Sequence, residues 1–122
     1  MLEAITAMAS VIGDPYLLML IAVTTVLGIV IGVLPGLGAT TGAALLLPFT
    51  LTMSPVNAIA VLATLYVSAT FAGSITAILI NTPGTSAAAA TTFDGFPLAQ
   101  RGEAGRALGI AVVSSTIGGI FS

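Results

Sequence analysis

Two short stretches combine proline, glycine and small polar residues within otherwise apolar sequence: Pro35-Gly36-Leu37-Gly38-Ala39-Thr40-Thr41-Gly42 and Asn81-Thr82-Pro83-Gly84-Thr85. Neither contains a charged side chain, a histidine or a cysteine. What they offer is recognition: backbone N–H groups and hydroxyls donate to an anion, while carbonyls and the Asn81 amide oxygen attract a cation. Pro83 lacks an N–H and pushes Thr82 out of the α region, so a helix arriving from the left should stop near Asn81. Gly84 permits a sharp turn, and Thr85 or Ser86 is placed to cap the helix that follows. Pro35, Gly36 and Gly38 break the chain in the same way, and Ala39 to Leu47 reads as a half-length helix that opens on Thr40 and Thr41 and ends at Pro48. In a bilayer such breaks persist only where protein or a wet cavity satisfies the freed backbone groups.

The elements that must position these breaks are those of a membrane protein. Of 122 residues, 57% are hydrophobic and 5% charged, against roughly 25% charged in soluble domains. Between Asp14 and Asp94 there is no Asp, Glu, Lys or Arg. A soluble domain needs a charged surface; a membrane domain does not. Two arginines and no lysine argue against nucleic-acid binding. The absence of cysteine and histidine removes disulfides, thiol nucleophiles and the commonest transition-metal ligands.

Taken in order, residues 1–13 carry Leu2, Ile5, Met8 and Ile12 at helical spacing, which predicts a short amphipathic helix at the membrane interface. Asp14-Pro15 is a helix start. Residues 15–34 then form a transmembrane helix of about 30 Å, with Gly28, Gly32 and Gly36 as a close-packing stripe. Residues 36–53 are the first broken, re-entrant segment. Ser54-Pro55 starts a second transmembrane helix over 55–80, about 39 Å if straight, with a bend expected at Ala72-Gly73-Ser74. Ala69, Gly73 and Ala77 give it a small-residue face, and Tyr66 is either an interfacial anchor or part of a cavity wall.

Residues 81–93 are the second break and a half-helix. Asp94-Gly95-Phe96-Pro97 is a turn signal, which assigns Asp94 a loop or capping role. Both arginines fall in the loop 94–106, placing it in the cytoplasm by the positive-inside rule. Residues 107–122 read as a truncated transmembrane helix with Gly105/Gly109 and Ser115/Gly119 as packing pairs. This run of about 16 residues falls short of the roughly 20 needed to cross, so the chain reads as the N-terminal part of something longer. The fold class is all-α: a polytopic membrane protein with transmembrane helices and broken half-helices.

Three stretches resemble the large membrane subunit of tripartite tricarboxylate transporters, the TctA family: Gly28 to Pro48 (GIVIGVLPGLGATTGAALLLP), Gly73 to Thr85 (GSITAILINTPGT) and Thr92 to Gly109 (TFDGFPLAQRGEAGRALG). That subunit is several times longer than this chain. The resemblance implies a permease of the bacterial inner membrane that works with a small membrane subunit and a periplasmic solute-binding protein. It also implies uptake of carboxylates such as citrate, coupled to Na+ or H+.

The residues and the resemblance meet at the two breaks. A carboxylate entering this stretch finds no lysine or arginine, but helix N-termini supply oriented N–H groups and roughly half a positive charge each. Carriers with discontinuous helices use such termini for anions and unwound carbonyls for cations. The expectation is that Thr40, Thr41, Thr85 and Ser86 face the substrate, while Asn81 and Thr82 favour the coupling cation. The plainer reading is that these residues only cap helix ends. An intramembrane enzyme is disfavoured, since no nucleophile–base pair and no carboxylate lies within a predicted span. A channel would share the pattern of carbonyls and threonines. A purely structural subunit would account for the glycine pairs but not for two polar breaks.

Overall fold

Aspartate and serine caps set the two long helices. The Asp14 carboxylate accepts from the Tyr16 amide at 3.0 Å, and Pro15 occupies the first helical position of a helix running Pro15–Val33. Ser54 does the same for the Asn57 amide at 3.4 Å, ahead of a helix running Pro55–Ile80. The computed structural model describes residues 1–122 and is all-helical: α1 (Leu2–Gly13), α2 (Pro15–Val33), α3 (Gly38–Thr50), α4 (Pro55–Ile80), a 3-10 turn (Ser86–Ala88), α5 (Thr91–Gln100) and α6 (Ala104–Phe121). By length and composition α2, α4 and α6 are long and apolar enough to cross a membrane.

α4 is the hub, packing against α2, α3, α5 and α6. Its buried face runs through Leu65, Ala69, Ala72, Ala77 and Ile78, all fully covered. α2 meets it through Thr24, Gly28 and Gly32, a four-residue repeat of small side chains. A Cβ on Gly28 would collide with Ser68 Oγ, and one on Gly32 with the Ala69 backbone, so the two helices touch backbone to backbone. Gly36 does not continue this stripe. It lies beyond the end of α2 at φ +90°, with open space where its side chain would be. The other faces of α2 carry Met19, Val23, Val26 and Val30, all exposed, as expected of a helix surrounded by lipid.

Several local expectations change once the chain is folded. α3 passes through Pro48 and ends at Thr50; a proline this near the C-terminus forfeits one backbone bond without stopping the helix. At 13 residues α3 is about 20 Å long, longer than the expected Ala39–Leu47 segment but still short of the roughly 30 Å core. α4 is helical throughout Ala72-Gly73-Ser74, and its small residues there receive a neighbouring loop.

The larger correction lies after the second break. Residues 86–93 do not make a half-helix: a three-residue 3-10 turn is followed by a helix that begins only at Thr91. Asp94-Gly95-Phe96-Pro97 is not a turn but the middle of α5. Gly95 is buried against Ile78 of α4, where a Cβ would approach the Ile78 side chain to 2.6 Å, so the glycine serves helix packing. The expected loop 94–106 contracts to residues 101–103. There Gly102, at φ +81°, closes a Schellman motif, with Gly102 N–H donating to Ala99 O at 3.0 Å and Glu103 N–H to Leu98 O at 2.9 Å.

The ends pack lightly. No residue of α1 is buried, leaving Leu2, Ile5, Met8 and Ile12 uncovered. α6 buries only Ala107, and a Cβ at Gly105, Gly109, Gly118 or Gly119 would meet nothing within 4 Å. The expected packing pairs on α6 therefore have no partner helix within this chain.

Candidate substrate cavity

α4 ends where Asn81 turns left-handed, at φ 56° and ψ 24°, and the Asn81 and Thr82 amides both donate to the Thr76 carbonyl. Asparagine tolerates this conformation better than most residues. The chain then doubles back along α4. The Gly84 N–H donates to the Gly73 carbonyl at 3.3 Å. A Cβ on Gly84 would strike the Gly32 carbonyl, and one on Gly73 would come within 2.8 Å of the Thr85 amide nitrogen. Three glycines, from α2, α4 and the loop, thus stack against one another. A loop carrying any side chain at position 84 could not enter the groove between the two helices.

That stacking brings the two breaks together. A cavity of about 450 Å³ is lined from the first break by Gly36, Gly38, Thr40 and Thr41, and from the second by Pro83, Gly84, Thr85 and Ser86. α4 closes it with Tyr66 and Thr70. Pro35 is not in the lining; it shapes the turn between α2 and α3. No charged side chain reaches the cavity. α3 opens onto it with no side-chain cap, so the first-turn N–H groups and the Thr40 and Thr41 hydroxyls stand free where the helix dipole is positive.

The second break contributes differently from the first. Thr85 precedes only the three-residue 3-10 turn and makes no capping bond, so no macrodipole of consequence points from it. The Thr85 Oγ1 atom is buried with no hydrogen-bond partner and lies against Gly73. Ser86 is exposed. Asn81 and Thr82 stand outside the lining, both exposed, and the Thr82 hydroxyl donates back to the Ile80 carbonyl at 3.3 Å. The four residues expected to face a substrate therefore line one cavity, whereas the two expected to hold a cation lie outside its lining.

Nothing in the local sequence singles out Thr70 on its own, and the structure puts Tyr66 in the cavity wall. Their signal is faint but present: Tyr66, Thr70 and Ser74 recur every four residues along the span, which places them on one helix face.

Comparison with known proteins agrees with the motifs. The sequence model of the tripartite tricarboxylate transporter TctA family matches residues 18–122. A similar protein from Agrobacterium vitis, described as an uncharacterized 52.8 kDa protein in the TAR-I ttuC' 3' region, is 47% identical over 97 residues. That alignment covers 80% of this chain and 19% of the relative, so the chain spans about a fifth of the relative's length. No solved structure matches. With a family match over nearly its whole length and apolar helices that suit a bilayer, this chain is a membrane protein belonging to the tripartite tricarboxylate transporter TctA family.

Proposed function

We propose that the chain forms part of the permease subunit of a binding-protein-dependent, cation-coupled secondary transporter that imports tricarboxylates or related carboxylates. The observation that carries this reading is the uncharged cavity where both Pro-Gly breaks meet, with the free N-terminus of α3 and the hydroxyls of Thr40, Thr41 and Ser86 around it. Carboxylates accept from such donors, and carriers with broken helices use them for anionic substrates. Thr85 contributes backbone and position, since its hydroxyl is turned into α4.

Family membership supports the remaining parts. These are a multi-pass subunit of the bacterial inner membrane, a small membrane partner, a periplasmic binding protein, and Na+ or H+ as the coupling ion, with no catalytic step. Arg101 and Arg106 support a cytoplasmic position for the turn between α5 and α6. Asn81 and the carbonyls around Thr82, at the end of α4 beside Pro83, are the position for the cation that the sequence alone suggests.

The test is carboxylate uptake by the full-length permease reconstituted with its two partners. Thr40→Ala, Thr41→Ala and Ser86→Ala are expected to weaken apparent substrate affinity while the protein still inserts and assembles. Unchanged affinity in all three variants would reduce these residues to helix-end caps.

A further inference from the structure

The hydroxyls of this chain divide into two groups. Thr6, Ser10, Thr25, Thr50, Thr52, Ser68, Thr76, Thr92 and Thr116 each return their proton to a carbonyl three or four residues back. Others, among them Thr40, Thr41, Thr64 and Thr70, make no such bond; of these uncommitted hydroxyls Ser74, Thr91, Ser114 and Ser115 line a second cavity of about 360 Å³ between α4, α5 and α6, Ser114 and Ser115 at its exposed side. Asp94 lines it as well. It is the only acidic residue between Asp14 and Glu103, and the chain's one ion pair, Arg106 with Glu103 at 3.5 Å, leaves it out. Gly95, buried on Ile78, seats α5 against α4 and so places the neighbouring Asp94, itself exposed, at the edge of this cleft.

Shared lining residues relate this cleft to the cavity at the two breaks. A third cavity, of about 430 Å³, shares Tyr66, Thr70 and Ala87 with the substrate cavity, and Ser74, Thr91 and Ser115 with the cleft. The Tyr66–Thr70–Ser74 face of α4 runs along all three.

We propose that Asp94 and the hydroxyls of Ser74, Thr91, Ser114 and Ser115 form a sodium site, linked to the substrate cavity by the hydroxyl-bearing face of α4. The donor set is oxygen only, which suits a hard cation and offers nothing to metals that prefer nitrogen or sulfur. One carboxylate matches one positive charge; a divalent ion would leave a net charge between two apolar spans. The hydroxyls are free to turn their lone pairs inward because none is committed to its own helix. The proposal rests on the reading of the chain as part of a cation-coupled carrier, and it moves the cation from Asn81 to the cleft beside α6.

The experiment is binding of radioactive sodium to the purified full-length permease, alongside carboxylate uptake by the reconstituted transporter. Asp94→Asn is expected to weaken sodium binding roughly tenfold or more, and Ser74→Ala, Ser114→Ala and Ser115→Ala roughly three- to tenfold each. Asp94→Glu, which keeps the charge, should restore part of the loss and guards against misfolding as its cause. Sodium binding unchanged in Asp94→Asn, or abolished by Asn81→Ala while Asp94→Asn retains it, would overturn the proposal, as would a wild-type protein that binds none. Uptake that proceeds without sodium would sink the sodium site and leave the carrier standing. Sodium binding that depends on Asp94 in a protein that moves no carboxylate would do the reverse.

Discussion

Gly84 is held against Gly73: its amide donates to the Gly73 carbonyl at 3.3 Å, and the two residues approach so closely that a Cβ on Gly84 would lie 2.9 Å from the Gly73 Cα. On its other side the same Cβ would strike the Gly32 carbonyl. This contact draws the second break into the groove between α2 and α4, and the cavity exists because of it. Gly84→Ala should therefore cost about 1–3 kcal/mol through overpacking and open the cavity. Thermal unfolding of the full-length permease in detergent reads the first effect, and loss of uptake reads the second. A fully stable, active Gly84→Ala protein would show that the loop does not need this seat.

Thr85→Val should stabilise the protein. The Thr85 Oγ1 is buried without a partner, so an isosteric methyl removes a desolvation cost of about 1–2 kcal/mol and forfeits no bond. The check is a raised unfolding temperature; a lowered one would mean the hydroxyl has a partner in the complete protein.

Asn81 separates a backbone role from a ligand role. At φ 56° it occupies a conformation that glycine adopts freely and alanine does not. Asn81→Gly should thus be near neutral for stability, and Asn81→Ala should cost about 1 kcal/mol. Cation dependence should stay unchanged in both variants; a change in both alike would mean that the side chain itself holds the cation.

Thr40 and Thr41 open α3 without back-bonding to the helix. Removing either hydroxyl should weaken apparent carboxylate affinity roughly three- to tenfold, with little effect on unfolding temperature, because both are exposed. Thr6→Ala, in the exposed α1, is the matched comparison and should leave affinity alone.

The turn at 101–103 carries the sidedness prediction. A cysteine placed at Gln100, in a cysteine-free background of the full-length permease, should react with a membrane-impermeant reagent from the cytoplasmic side. Reaction from the periplasmic side would invert the orientation drawn from Arg101 and Arg106.

The membrane class, the helices at 15–33 and 55–80, their caps at Asp14 and Ser54, and the stop at Asn81 were all legible in the sequence. These are local matters: hydropathy over one span, a side chain reaching its own helix end, a proline that keeps the residue before it out of the α region. Family membership was legible too, because motif order and spacing survive without coordinates. Tertiary structure decided what local signals describe wrongly or not at all. Asp94-Gly95-Phe96-Pro97 has the composition of a turn, yet it is helical because Gly95 lets α5 lie on Ile78. Gly32, Gly73 and Gly84 are far apart in sequence and stack in space, and no periodicity announces a contact among three separate segments. The same holds for Asp94 and its hydroxyls: Ser74, Thr91, Ser114 and Ser115 come from three helices, and only the packing of α5 and α6 on α4 brings their oxygens to one cleft.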